Sequence, residues 1–251
     1  MAKVISIINL KGGVGKTTTA HALSSGLLKR GYKVLAIDLD PQRNLSYCYN
    51  VLKAGTTSYE LLARQATIEQ CIITTTQGEI IPAGERLTTA KETLKPTPEG
   101  LGFLLARSIE PIKENYDYII IDTPPAINIL TTNALMASNE CIISTQADVF
   151  SLQGIGQMTR YLKELKARGL KATVKGILFN RYNGRQNITK ALEEIIKQTG
   201  DSVKIPVFNT KIRECVAFKK AQAKKSNIYQ VAPHSNATAD FESFIDELLG
   251  E

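Results

Sequence analysis

The segment Asn9-Leu10-Lys11-Gly12-Gly13-Val14-Gly15-Lys16-Thr17-Thr18 constrains this chain more than any other. It follows the apolar run Val4-Ile5-Ser6-Ile7-Ile8 and precedes a helix-compatible stretch from Thr18 to Lys29. A strand, a tight glycine turn and a helix in that order form a phosphate cradle. Glycines let backbone N–H groups converge on an anion, and the helix N-terminus adds partial positive charge. In such a cradle Lys16 is expected to reach the β- and γ-phosphates, and the Thr17 hydroxyl to bind magnesium. Gly12, Gly13, Val14, Gly15 and Thr18 complete the expected nucleotide contacts. The strict pattern G-x-x-x-x-G-K-[ST] is not met, because Leu10 stands at the first glycine position and an extra lysine, Lys11, precedes the glycines.

The other apolar runs, at 33–37, 118–121, 140–144 and 173–179, are strand-sized and alternate with amphipathic segments. Runs this uniformly apolar must be covered on both faces, so the expected fold is α/β: a doubly wound, mostly parallel sheet with helices on both sides. Ligands in such sheets sit at the carboxyl ends of the strands, where the glycine loop, Asp38, Asp40 and Asp122 all fall. The stretch 76–100, with Pro82, Pro96 and Pro98, is expected to be loops with a short strand at 79–81. No repeat, linker or low-complexity tract interrupts the 251 residues, which read as one domain, 1–251. Cys48, Cys71, Cys141 and Cys215 form no C-x-x-C pair and read as reduced structural thiols, as in a cytoplasmic protein. No run is long enough to span a membrane, and no signal peptide precedes the first strand.

Lys-Gly-Gly-Val-Gly-Lys-Thr-Thr at 11–18 resembles the deviant Walker A motif of the ParA/MinD family of ATPases. Ile37-Asp38-Leu39-Asp40-Pro41-Gln42, Ile119-Ile120-Ile121-Asp122-Thr123-Pro124-Pro125 and a helix-break-helix C-terminal half match in order, so the resemblance covers nearly the whole chain. It is nearest the short, Soj-like ParA proteins of plasmid and chromosome partition. The resemblance implies an ATPase using ATP and Mg2+, with Lys11, Lys16 and Asp40 catalytic and Thr17, Asp40 and Asp122 at the metal. Asp40 would position the attacking water; Asp38 reads equally as a ligand-orienting or a turn-capping residue. Lys11 would cross to the nucleotide of a facing subunit in an ATP-dependent homodimer, although read alone it is also an ordinary solvated loop lysine. Asn180 matches an adenine-contacting position, and Pro206, Val207 and Phe208 match the second wall of the base pocket. The family's arginine near Phe208-Asn209 and its Glu-Ala-Pro near Val216-Ala217-Phe218 are both altered here.

Charge is distributed unevenly. The chain carries +7, yet residues 158–225 hold 17 Lys/Arg against five acids. Such a basic segment is the footprint of a polyanion. No helix-turn-helix or zinc finger accompanies it, so phosphate contacts indifferent to sequence are expected. Arg185 and Arg213 match family DNA-binding positions, with Lys211, Lys219, Lys220, Lys224 and Lys225 nearby. By resemblance the partners are non-specific DNA and a ParB-like centromere-binding protein, in a cytoplasmic, nucleoid-associated setting. Two alternatives are a MinD-like membrane regulator and a non-hydrolysing ATP-binding switch module. The acidic segment Asp240 to Leu249 speaks against an anionic membrane surface.

Overall fold

Eight strands join one sheet in the computed structural model, which describes residues 1–98 and 100–251. They are β1 (Lys3–Ile8), β2 (Val34–Asp38), β3 (Ile73–Thr75), β4 (Gly78–Ile81), β5 (Tyr118–Asp122), β6 (Glu140–Thr145), β7 (Thr173–Tyr182) and β8 (Val207–Arg213). Their spatial order is β3-β4-β2-β5-β1-β6-β7-β8. Every pairing is parallel except the β3–β4 hairpin at one edge. The sheet is therefore mostly parallel and covered by helices on both faces, as the apolar runs require.

Successive side chains of one strand feed opposite cores. Ile119 and Ile121 join Leu35, Ile37, Leu104 and Leu130 on one side, whereas Ile120 joins Ile5, Ile7, Ala36 and Leu23 on the other. These residues are 0–2% exposed, and each leucine and isoleucine contributes about 1.5–3 kcal/mol by leaving water. A third core lies under β6 and β7, where Ile143, Ile155, Met158 and Phe179 meet.

The C-terminal helix Asn236–Leu249 starts at Ser235, whose hydroxyl accepts the Thr238 N–H. Its apolar face, Phe241, Phe244, Ile245 and Leu248, is buried in the second core against the first helix, Lys16–Lys29. Its acids are also engaged. Glu242 and Asp246 pair with Arg30, Asp240 with Arg213, and Glu247 accepts the backbone N–H groups of Asn209 and Thr210 on edge strand β8. No apolar face of this helix is left over for a lipid surface. Among the described residues, no helix is long and apolar enough to cross a membrane.

Candidate nucleotide site

β1 sits at the middle of the sheet, and the loop at its carboxyl end turns into the helix Lys16–Lys29. Gly13 and Gly15 adopt φ of 75° and 91°, where a side chain is strained. At Gly15 a Cβ would also lie 3.0 Å from Asn180 Cγ, so both backbone and space demand glycine there. The carboxyl end of β6 braces the loop from the side. Ser144 Oγ donates to the Val14 carbonyl at 2.8 Å, and Gln146 Nε2 to the Gly13 carbonyl at 3.0 Å. Asn9 Nδ2 donates to the Ser144 carbonyl while its Oδ1 accepts the Lys11 N–H.

The loop opens into a cleft of 860 Å³ at the carboxyl ends of the strands. Gly12, Gly13, Gly15, Lys16, Thr17 and Thr18 form its floor, and Asp40 and Asn180 also face it. Lys16 is 6% exposed, and its Nζ donates to the Lys11 carbonyl at 3.1 Å. Burial lowers the Lys16 pKa, opposed by Asp122 and then Asp40. Asp122 ends β5 at 0% exposure, and neither carboxylate oxygen has a hydrogen-bond partner. Its pKa is pushed well up, first by burial and then by Asp38. The nearby Thr17 hydroxyl opposes the shift without forming a well-aligned hydrogen bond to either oxygen.

Two unsatisfied carboxylate oxygens in the interior are costly unless something binds them. Asp122 and Asp40 lie close enough to act on Lys16, and Asp38 acts on Asp122, so three neighbouring carboxylates stand against one lysine and the charge is unbalanced toward a cation. Thr17 plus Asp122, with Asp40 near, is a sparse oxygen donor set of the kind magnesium uses when phosphates complete its shell. No cluster of three or more His, Cys, Asp or Glu ligands exists among the described residues. The residues present fit magnesium.

Asp38 and Asp40 separate by role. Asp38 is fully buried and accepts the Ser46 N–H, the Ser46 hydroxyl and the Asp40 N–H at 2.7–3.0 Å. Burial raises its pKa to about 6 against those donors. Its oxygens are engaged in holding the turn, which resolves the open choice in favour of capping. Among the described residues Asp40 accepts only the Gln42 N–H, at 2.9 Å, and it faces the cleft. Burial raises its pKa, opposed by Gln42 and Lys16.

Asn180 is 2% exposed at the end of β7. Its Nδ2 donates to Ser144 Oγ at 3.0 Å and Thr19 Oγ1 at 3.2 Å. Ser144 gives its own proton to Val14, so it can only accept from Asn180, which fixes the amide orientation. Among the described residues no donor reaches Oδ1, which is left as the acceptor.

Lys11 does not project freely. Its Nζ pairs with Asp148 Oδ2 at 2.5 Å and lies 5.7 Å from the Phe150 ring centre. Asp148 also caps the helix Val149–Lys166 by accepting the Ser151 N–H. Nothing in the order of residues around Asp148 points to Lys11, 137 positions earlier.

One sequence expectation is corrected. Pro206, Val207 and Phe208 do not line the cleft. They lie at the amino end of β8, where Phe208 is buried 5.0 Å from Phe244, centre to centre, and against Gly176. The wall comes instead from the carboxyl end of β8 and beyond: Ile212, Glu214, Cys215, Val216 and Phe218. The basic candidates also divide. Lys211 is paired with Glu193 at 2.5 Å and stacked on Tyr182, and Arg213 holds Asp240 in a bidentate pair. Lys225 donates to Asn50 Oδ1 and lies over Tyr47. Lys219 lines the nucleotide cleft. Arg185, Lys220 and Lys224 are exposed, with no carboxylate partner among the described residues.

A family described as "AAA domain" matches residues 2–176. The sporulation initiation inhibitor protein Soj of Bacillus subtilis is 36% identical over 241 residues, covering 94% of this chain and 93% of Soj. The chain belongs to the ParA/MinD family of ATPases. Among solved structures, a putative plasmid partition protein of Borrelia burgdorferi B31 bound to AMPPNP superposes with TM-score 0.84 at 27% identity, covering 100% of this chain and 99% of that one. The septum site-determining protein MinD of Pyrococcus horikoshii, complexed with Mg-ADP, gives TM-score 0.77 at 27% identity, over 100% and 98% of the two chains. This ParA/MinD chain thus shares its doubly wound sheet with both branches of the family.

Proposed function

We propose that the chain is a magnesium-dependent ATPase that works as a DNA-partition switch. The observation that carries this reading is the pair of unpartnered Asp122 oxygens near Thr17 and Lys16, the residues that follow the glycine loop. Loop N–H groups and Lys16 bind and orient the β- and γ-phosphates, and Thr17 and Asp122 hold the metal. Magnesium, when bound, neutralises charge on the phosphate oxygens. Asp40 orients the attacking water; phosphoryl transfer needs positioning and charge compensation more than a strong base. The free Asn180 Oδ1 accepts the exocyclic amine of adenine and disfavours guanine, which offers an acceptor there.

Lys11 leaves Asp148 and crosses to the nucleotide of a second copy, so ATP closes a symmetric homodimer. Arg185, Lys220 and Lys224 then contact DNA phosphates without reading sequence, and hydrolysis stimulated by a ParB-like partner releases the dimer. The Soj relative and the Borrelia partition protein support this assignment over a MinD-like one.

Lys16→Ala is expected to abolish ATP binding in calorimetry, while Asp40→Ala keeps binding and loses turnover by about 10²-fold. Asp38 has no free oxygen to substitute for Asp40. Parental turnover in Asp40→Ala overturns the assignment of Asp40. A parent protein that binds ATP without any turnover, with or without DNA, is instead a non-hydrolysing switch. Lys11→Ala should bind ATP but fail to dimerise in sedimentation.

A further inference from the structure

Asn180 and Arg181 are neighbours in β7, yet both face the nucleotide cleft. Strand geometry places successive side chains on opposite faces. The exception has two visible causes. Pairing between β7 and β8 shifts register between Phe179 and Tyr182, and Arg181 takes a left-handed backbone with φ of 50°. An irregularity of this kind re-aims a side chain at a strand end, and a non-glycine residue with positive φ carries a conformational cost that something must offset. Here the re-aimed guanidinium meets Glu214: Arg181 Nη2 lies 2.9 Å from Glu214 Oε1. Glu214 sits just past β8 and lines the same cleft, and its N–H approaches the Tyr182 carbonyl at 3.4 Å. The ion pair joins the two strand ends that flank Asn180, the residue assigned above to the base.

We propose that Arg181 and Glu214 are a positioning pair that closes the base end of the cleft and sets how long a bound adenine nucleotide stays. This rests on the reading of the cleft as a nucleotide site. The contacts of the pair among the described residues are to each other and to the end of β7, not to the glycine loop, so it acts on residence at the base end and leaves the loop intact. Both side chains are more than half exposed, at 55% and 57%, so the attraction is modest and screened by salt.

The test is release of a fluorescent ATP analogue from the full chain with magnesium, followed by stopped-flow displacement with unlabelled ATP. Arg181→Gln and Glu214→Gln should each release the nucleotide about twofold to fivefold faster, the range of a partly exposed ion pair. The double variant should be no faster than either single one, because the same interaction is removed only once. Arg181→Lys, which keeps the charge, should stay close to the parent. Raising salt should speed release from the parent and leave the two Gln variants nearly unchanged. A merely structural pair would alter thermal stability without this salt-dependent release or its rescue by lysine. Parental release rates in both Gln variants, or a double variant whose effect is the product of the two single effects, overturn the proposal. Lys16→Ala run alongside separates the two readings. If it abolishes binding while Arg181→Gln releases like the parent, the nucleotide site stands and the clasp alone is wrong. If Lys16→Ala binds normally, the site assignment itself fails.

Discussion

His21 shows how much one buried side chain can be fixed by its neighbours. It lies on the first helix, tilted against Tyr49 at 5.2 Å between ring centres, with Nε2 3.0 Å from Gln77 Oε1. Gln77 Nε2 donates to the carbonyls of Cys48 and Lys225, so Oε1 is the only end that can face His21, and Nε2 must carry the proton. Burial lowers the His21 pKa to about 4, against an ordinary 6.5. The unfolded chain therefore binds the proton more readily between these values. The stability tied to a neutral His21 is complete above pH 6.5 and is lost as pH falls toward 4, by about 3 kcal/mol over the window. Asp38 and Asp122, whose pKa values rise, contribute the opposite slope, so the parent curve alone is not diagnostic. The difference in urea-unfolding free energy between the parent and His21→Gln cancels them. That difference should shift by about this amount, in favour of the variant, between pH 6.5 and 4; a pH-independent difference would contradict a buried neutral imidazole.

Helices and strands are legible in the sequence to different degrees. β1, β2, β5 and β6 are readable to within a residue or so at either end, because their runs are apolar throughout and buried on both faces. β8 does not announce itself as a strand. Only Phe208 and Ile212 of its seven residues are buried, and its edge is covered by carboxylates of a helix some thirty positions later. Without that strand, Phe208 is easily misplaced. At about 3.3 Å per residue, it lies roughly 20 Å along the chain from Glu214, at the opposite end of the strand from the cleft. The packing of the first helix on the last is equally invisible in sequence, and it hinges on Gly26. A Cβ there would come within 2.9 Å of the Tyr229 ring and still closer to Ile245 Cδ1. Gly26→Ala gains helix propensity, but overpacking should outweigh it and cost about 1–3 kcal/mol. A raised denaturation midpoint in that variant would show that the two helices can separate without penalty.

At the scale of the whole molecule, paired and unpaired cations predict different behaviour. Binding to duplex DNA should require ATP, since two subunits together present enough free cations. Log affinity should fall with log salt by about 0.9 per neutralised phosphate, whatever the sequence. Arg185→Ala, Lys220→Ala and Lys224→Ala should each flatten that slope by about one for every phosphate left without its cation, hence about two in a symmetric dimer. Arg213→Ala should instead destabilise the fold by freeing Asp240, with a smaller effect on the slope. Filter binding of unrelated duplexes over a salt series distinguishes these outcomes. Equal binding by the nucleotide-free protein, or Arg213→Ala flattening the slope as much as Lys220→Ala, would refute this division of the basic surface.

The sequence by itself determined the glycine loop, the strand-end carboxylates and the parallel sheet that gathers them. Each depends on neighbours in the chain: positive φ at Gly13 and Gly15, a lysine at a helix start, an aspartate closing an apolar run. Tertiary structure alone decided what those residues meet. Lys11 is held by Asp148, Asp38 is committed to Ser46 while Asp40 faces the cleft, and Arg181 is turned onto Glu214. The physical reason is range. Backbone conformation and hydrophobic periodicity are local properties, whereas a charge is assigned its role by whichever opposite charge the fold brings within about 4 Å, however far away it lies in sequence.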